Sequence, residues 1–405
     1  MIKMVQAAFF ASAFFLFYNY LGYGMLLWAL VKLRRKPVAA PAATGAAAEP
    51  AVTLVVAAYN EADFIAQKAE NTLQLDYPAD KLSLLFVTDG STDGTPDILR
   101  QYPRITVLHQ EERRGKTAAI NRAMQQVGTP IVIFCDANTF LNKDAIRALV
   151  KHYADDTVGA VAGEKRVLPQ PGHDQAAGTE GIYWKYESYL KKLDAAFYSV
   201  VGAAGELFSV RTALFRPVEP EVILDDFVIS LRVNLQGYRV AYAPDAYAME
   251  SPSDSLREEH KRKVRISAGG FQAIVLLRSL LNIFRYPVLS FQYISHRVLR
   301  WTLSPLSLPV LLLSNAWLAY YTDHPFYPLF LLMQVAAYLA ALVGLFLAGR
   351  RVKIKLFYVP FYFLFMNVAV YEGFFRYIAG RQSAAWEKSK RKTPDPFTLN
   401  ESKYL

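Results

Sequence analysis

Residues 5–31 form an almost unbroken apolar run, followed at once by the basic cluster KLRRK at 32–36. A run of that length crosses a hydrocarbon core of roughly 30 Å at about 1.5 Å per residue. A secretory signal has a shorter apolar region and carries its cations in front, so this run reads as a retained anchor. The small-residue stretch PVAAPAATGAAA behind it does not alter that order. Cations gather on the cytoplasmic flank of membrane segments, which puts residue 32 onward in the cytoplasm and the N-terminus outside.

Composition agrees with an anchored chain. Of 405 residues 53% are hydrophobic and 20% charged, yet 45 Lys+Arg against 35 Asp+Glu leave a net charge of +10. A chain both apolar and basic fits an integral membrane protein with a cytoplasmic face, with membrane lipids and not nucleic acid as its surroundings. Intrinsic disorder, collagen and small secreted scaffolds are excluded. The single cysteine, Cys135, leaves no intramolecular disulfide framework and no cysteine-rich zinc site.

Residues 1–36 are therefore the anchor, and the Ala/Pro-rich 37–51 a linker. From 52 to 280 the chain reads as a cytoplasmic α/β domain. Strand-like runs (TLVVAAY, LSLLFVTD, RITVLH, PIVIFCDA, VGAVAG) alternate with helix-like stretches at 62–73 and 116–126, a pattern that favours a parallel sheet flanked by helices. Residues 281–301 mix Arg285, His296, Arg297 and Arg300 with aromatics, which suits an amphipathic helix lying on the membrane surface. Residues 302–380 hold two spans, 302–321 and 326–348, separated by TDHP. A third apolar stretch, 356–378, carries Pro360, Asn367 and Glu372. Polar groups in lipid are costly, and a crossing would put the basic tail 381–405 outside, so a re-entrant or interfacial segment with a cytoplasmic tail is expected.

In open α/β sheets ligands bind at strand ends, and the informative residues fall there. The first strand runs into Ala58, Tyr59, Asn60 and Glu61. The second ends in TDGSTDGT with Asp89, and RRGKTAAIN presents Gly115 and Lys116 at a helix start. The fourth delivers Asp136 and Asn138, hard oxygen donors suited to Mg²⁺ or Mn²⁺ when diphosphate oxygens complete the shell. LDDF places Asp225 and Asp226 at the head of an amphipathic helix, where a carboxylate can take a hydroxyl proton. The cations of HKRKVRISAGGFQ can neutralise phosphate charge. Singly, each has a plainer reading as a capped turn, a helix-dipole partner or a lipid-headgroup patch. Their order along one domain carries the weight.

In that order, residues 52–272 resemble the GT-A domain of family 2 glycosyltransferases, particularly the membrane-integrated synthases of cellulose, hyaluronan and poly-N-acetylglucosamine. The resemblance implies that Ala58, Tyr59, Glu61 and Asp89 hold the nucleotide, and that Gly115, Lys116 and Asn121 line the same pocket. It implies a metal, Mg²⁺ or Mn²⁺, on Asp136 and Asn138, and a catalytic base at Asp226 beside Asp225. The family's Q-R-x-R-W followed by G and Q falls on Arg262, Lys263, Val264, Arg265 and Ile266, then Gly269 and Gln272. Arg265 and Lys263 would steady the leaving diphosphate, with Arg262 near it. Ile266, Gln272 and Glu206, the last in the loop-like 201–211, would face the acceptor. Departures from the family are Asn138 for the second aspartate, Asp225 for glutamate and Ile266 for tryptophan. Isoleucine offers no aromatic face to an acceptor sugar.

The activity implied is inverting transfer from a nucleoside-diphosphate sugar, UDP-linked by resemblance, to a growing β-linked polysaccharide. The alternative acceptor is a lipid, either a polyprenyl phosphate or a glycolipid. Secretion or regulatory subunits are possible partners by the same resemblance, and a catalytically inactive membrane scaffold is the reading from another class.

Overall fold

The computed structural model describes residues 1–34, 49–167, 176–251, 255–350, 352 and 354–381. Residues 37–48 of the expected linker and residues 382–405 of the expected tail lie outside these.

The centre is an eight-stranded sheet: β1 Val52–Ala58, β2 Leu82–Asp89, β3 Ile105–Gln110, β4 Ile131–Asp136, β5 Thr139–Leu141, β6 Val158–Val167, β7 Leu207–Arg211 and β8 Arg239–Glu250. Their order is β3-β2-β1-β4-β7-β6-β8-β5. Every residue of β1 is buried, because helices cover both faces of the sheet. Alternate side chains go to opposite layers. Leu54 and Val56 join Leu84, Phe86 and Ile133 on one face, while Val55 and Ala57 join Leu85, Val87 and Val132 on the other.

The sheet corrects one expectation. β3, β2, β1 and β4 are parallel, but β7 is antiparallel to both β4 and β6, and β5 is antiparallel to β8. The fold is a mixed α/β sheet and not the all-parallel one expected. β7 itself lies in the segment expected to be loop-like. Strand direction depends on how the chain arrives, here after the long Ala176–Phe197 helix, and hydrophobic period carries no such information.

Among the described residues four helices are long and apolar enough to cross a membrane: Ile2–Leu33, Leu303–Tyr321, Phe326–Gly349 and Lys355–Ile378. The first carries a π-type turn at Tyr18–Gly22. The last is one unbroken helix with no reversal, so the re-entrant form of the expectation is set aside. Its contacts show its direction. Phe357 and Phe361 meet Gly344, near the end of the preceding helix. Asn367 accepts from Tyr20 Oη at 3.2 Å, and Tyr371 Oη donates to the carbonyl of Pro305 at 2.7 Å, close to where Leu303–Tyr321 begins. Gly373 packs on Ser267 of the domain helix Leu256–Leu276. This helix therefore runs across the domain-facing ends of the other apolar helices.

A second correction concerns residues 281–301. Pro287–Tyr293, Ile294–Val298 and Leu299–Trp301 follow one another without a break. Leu280, Leu289 and Tyr293 belong to the same core as β4 and β7. Arg285 stays exposed at the start of the segment, but His296, Arg297 and Arg300 turn inward. Arg297 and Arg300 meet Glu187 at 2.7 and 2.9 Å, and His296 Nδ1 lies 2.6 Å from Asp194. Asp194 also accepts Tyr23 Oη from the N-terminal helix at 2.5 Å. Buried charges are stable only when paired, and these partners draw the segment into the domain.

Candidate active site

A cavity of about 1040 Å³ opens at the ends of β1 and β4 and reaches the apolar helices. Its polar end is built by three elements. β4 ends at Asp136, with Ala137 and Asn138 in the turn to β5, and all three line the cavity. The Lys116–Met124 helix opens with Lys116. The Asp225–Leu235 helix opens with Asp225 and Asp226, acids that suit the positive end of a helix dipole.

The turn holding Asp136 is braced from behind. The Asp136 carbonyl accepts from Thr139 Oγ1 at 3.0 Å, and the fully buried Lys68 donates to the Thr139 carbonyl at 2.7 Å and to Cys135 Sγ at 3.0 Å. In front, Lys116 Nζ lies 2.6 Å from Asp136 Oδ1 and 3.9 Å from Asp225 Oδ2. Burial alone would lower the lysine pKa, but the carboxylates of Asp136, Asp225 and Asp226 outweigh it and hold the ammonium firmly protonated. Asp225 Oδ2 is buried and makes no hydrogen bond. The Asp226 carboxyl is pushed up to about 7, first by burial and then by the adjacent Asp225.

Two glycines fix this geometry. Gly115, at φ +93, turns the chain so that its N–H donates to Asp89 at 2.6 Å just before the helix starts. Gly202, at φ +84, stands where a Cβ would come within 2.0 Å of the Phe227 ring, next to Asp226. Any side chain at Gly202 would push the head of that helix out of place.

The Leu256–Leu276 helix brings Arg262, Lys263, Arg265 and Ile266 to the same cavity. Opposite them stands Glu206, which accepts from the buried Lys165 at 2.5 Å. Burial alone would raise its pKa, yet the Lys165 ammonium holds this carboxyl well below the usual carboxylate range. Lys165 also pairs with Glu250. Glu206 therefore lines the cavity as part of a buried ion cluster.

Of the nucleotide residues expected from the sequence, Glu61, Lys116, Asp136, Arg262 and Lys263 line this cavity, whereas Ala58, Tyr59, Asp89 and Gly115 do not. Asp89 is 1% exposed, and its oxygens accept the N–H groups of Arg114 and Gly115. Tyr59 lies beneath the Arg113 guanidinium, 3.9 Å from ring centre to carbon. Two further expected residues also stand outside the cavity lining. Gln272, expected on the acceptor side, accepts from the Ile223 N–H at 3.0 Å and donates to the Glu221 carbonyl at 2.8 Å. Asn121, expected in the nucleotide pocket, spans the Val218 carbonyl and N–H at 2.7 and 3.2 Å. Both tie down the loop that leads to Asp225 and Asp226.

Sequence reasoning passed over Lys165, Trp184, Trp301, Tyr20 and Glu187, all of which line the cavity. Lys165 left a faint signal, a charged EKR at the end of an apolar strand. The aromatic walls left none, since their positions depend on how distant helices pack.

The chain is similar to several known proteins. Residues 53–216 match the family described as Glycosyl transferase family 2. The chain is 26% identical over 251 residues to poly-beta-1,6-N-acetyl-D-glucosamine synthase of Staphylococcus aureus, covering 58% of this chain and 59% of that protein. It is 30% identical over 237 residues to beta-monoglucosyldiacylglycerol synthase of Synechocystis, covering 55% and 48%. The chain thus spans less than two thirds of the length of these curated relatives. Among solved structures, a mannosyltransferase from Pyrobaculum calidifontis in complex with GDP-Man and Mn²⁺ superposes with a TM-score of 0.67 at 24% identity, over 94% of this chain and 100% of that one. The match over the sheet and the likeness of fold together identify residues 53–216 as a glycosyl transferase family 2 domain on a GT-A fold, carried among apolar helices.

Proposed function

We propose that the protein is an integral membrane enzyme performing inverting glycosyl transfer from a nucleoside-diphosphate sugar to an acceptor reached from the membrane, with the domain on the cytoplasmic side. The observation that carries this reading is one cavity shared by Asp136, Lys116, Asp226 and the cations of the Leu256–Leu276 helix. Asp226 takes the proton of the acceptor hydroxyl, whose oxygen attacks the anomeric carbon from the face opposite the diphosphate. The bond from that carbon to the diphosphate oxygen breaks, and the nucleoside diphosphate leaves with the electron pair. Arg265 and Lys263 hold the departing charge.

The residues fit a divalent ion. Asp136 and Asn138 offer hard oxygens at the cavity wall, and Asp225 Oδ2 has no hydrogen bond. Among the described residues no group of three or more His, Cys, Asp or Glu side chains could hold an ion by itself, so diphosphate and water would complete the shell. Mg²⁺ or Mn²⁺ held there supplies Lewis-acid neutralisation of the leaving group.

The far wall of the cavity favours a lipid acceptor. Tyr20, Val359, Phe363, Met366 and Val370 come from helices apolar enough for a membrane, and such a wall suits a hydrocarbon tail better than a sugar chain. A growing β-linked polysaccharide is the second reading, favoured by the likeness to the Staphylococcus aureus synthase. Labelled donor with membrane extract separates them, since lipid acceptance gives a single glycolipid and polymerisation gives long chains. Asp226→Asn should reduce transfer by about 10³-fold while nucleotide binding stays near wild type. Full activity in the purified variant would overturn the assignment of the base.

A further inference from the structure

Lys116 sits where a cation is needed before any donor arrives. Its Nζ is 2.6 Å from Asp136 Oδ1 and 3.9 Å from Asp225 Oδ2, with only 20% of the side chain exposed. Asp226 closes the arrangement: a Cβ built at Gly205 would touch Lys116 Nζ at 3.2 Å and Asp226 Oδ2 at 3.3 Å. Carboxylates from two elements therefore converge on one ammonium. A recess with that much negative charge and little water is unstable without a counter-charge, and the described residues provide it through a side chain on a flexible stem.

An ammonium at hydrogen-bond distance from Asp136 competes with a divalent ion for that carboxylate, because like charges a few ångströms apart repel strongly in a partly dry site. We propose that Lys116 is a resident stand-in for the divalent ion. It neutralises Asp136 in the donor-free enzyme and releases it when the ion enters together with the nucleotide sugar. The incoming diphosphate then gives the ammonium a new anionic partner. Two consequences follow from the charge balance. The ion alone binds poorly, because it must expel a cation that has nowhere better to go. The ion with nucleotide binds well, because each cation gains a ligand. Donor entry is thereby restricted to the metal–nucleotide complex.

The inference rests on the assignment of Asp136 as a metal ligand, and the test separates the two. Free Mn²⁺ is titrated by electron paramagnetic resonance into the detergent-purified full chain, with and without UDP or GDP. Wild type should bind Mn²⁺ at least about tenfold more tightly when the nucleotide is present. Equal affinity with and without either nucleotide would overturn the proposal without recourse to any variant. Lys116→Met should bind Mn²⁺ alone more tightly than wild type, and Lys116→Arg, which keeps the cation, should not. Mn²⁺ should also raise the melting temperature of Lys116→Met more than that of wild type. Unchanged or weaker binding in Lys116→Met, alongside loss of binding in Asp136→Asn, would remove the stand-in role and leave the metal site intact. Undiminished binding in Asp136→Asn would instead remove the metal assignment itself.

Discussion

At Asp226 three influences act in one direction: burial strips water from the anion, Asp225 sets a like charge beside it, and the Glu206 carboxylate adds a smaller push. Lys116 and the Phe227 N–H oppose them without prevailing, and the carboxyl stands at about 7 against an ordinary 3.8. A general base works only when ionised, so kcat/KM for the acceptor at saturating donor should fall as pH drops through about 7. Asp225→Asn removes the neighbouring charge and should move that acid limb down by about one pH unit. A limb that stays in place in the pH–rate profile would assign the titration to another group. The same elevation has a sign for folding. A carboxyl raised in the native state favours the fold while protonated, so its contribution declines as pH rises from about 4 through about 7.

At the scale of elements, the helical segment from Pro287 to Trp301 is held to the domain by apolar packing and by ion pairs. Glu187 is 3% exposed at its side chain and receives both Arg297 and Arg300. Glu187→Ala strands two partly buried cations and should cost about 3 kcal/mol, read as a lowered melting temperature in detergent. A melting temperature equal to wild type would mean that the arginines find water or headgroups after all. This pairing also shows where sequence reading stops. Arg300 and Glu187 are 113 positions apart, and no local pattern joins them, so the cations looked like membrane-facing ones. By contrast β1, β2 and β4 were legible because both faces are buried, which leaves unbroken apolar runs. The helix Ala62–Leu73 was legible because its apolar residues recur on one face. In the site, Lys116, Asp136, Asp226 and the cations 262–265 were legible from their order along the chain. The backbone bonds of Gln272 and Asn121 were not legible, because an amide fits a backbone tether as readily as a ligand.

For the whole molecule, the helix Lys355–Ile378 decides how many times the chain crosses the bilayer. It is long and apolar enough to span, yet it meets Gly344 near one end and Pro305 near the other, both on the domain side. Arg381 should then face the same compartment as the catalytic cavity. Cys135 is the sole cysteine and is buried, so single introduced thiols give a clean readout. Asp323→Cys, between the two spans, should react with an impermeant maleimide on intact cells, and Arg381→Cys only after permeabilisation. Labelling of Arg381→Cys from outside would make this helix a true crossing.

The first helix is more than a tether. Its Tyr23 hydroxyl ends on Asp194, its Leu27 packs with Leu190, and its Tyr20 forms part of the cavity wall. Cutting the gene between the first helix and the first strand to obtain a soluble catalytic fragment would leave a buried acid without its hydroxyl partner, a greasy scar on the Ala176–Phe197 helix and a hole in the cavity wall. Anchor and enzyme are one folding unit, and expression strategies that treat them as separable start from the wrong molecule.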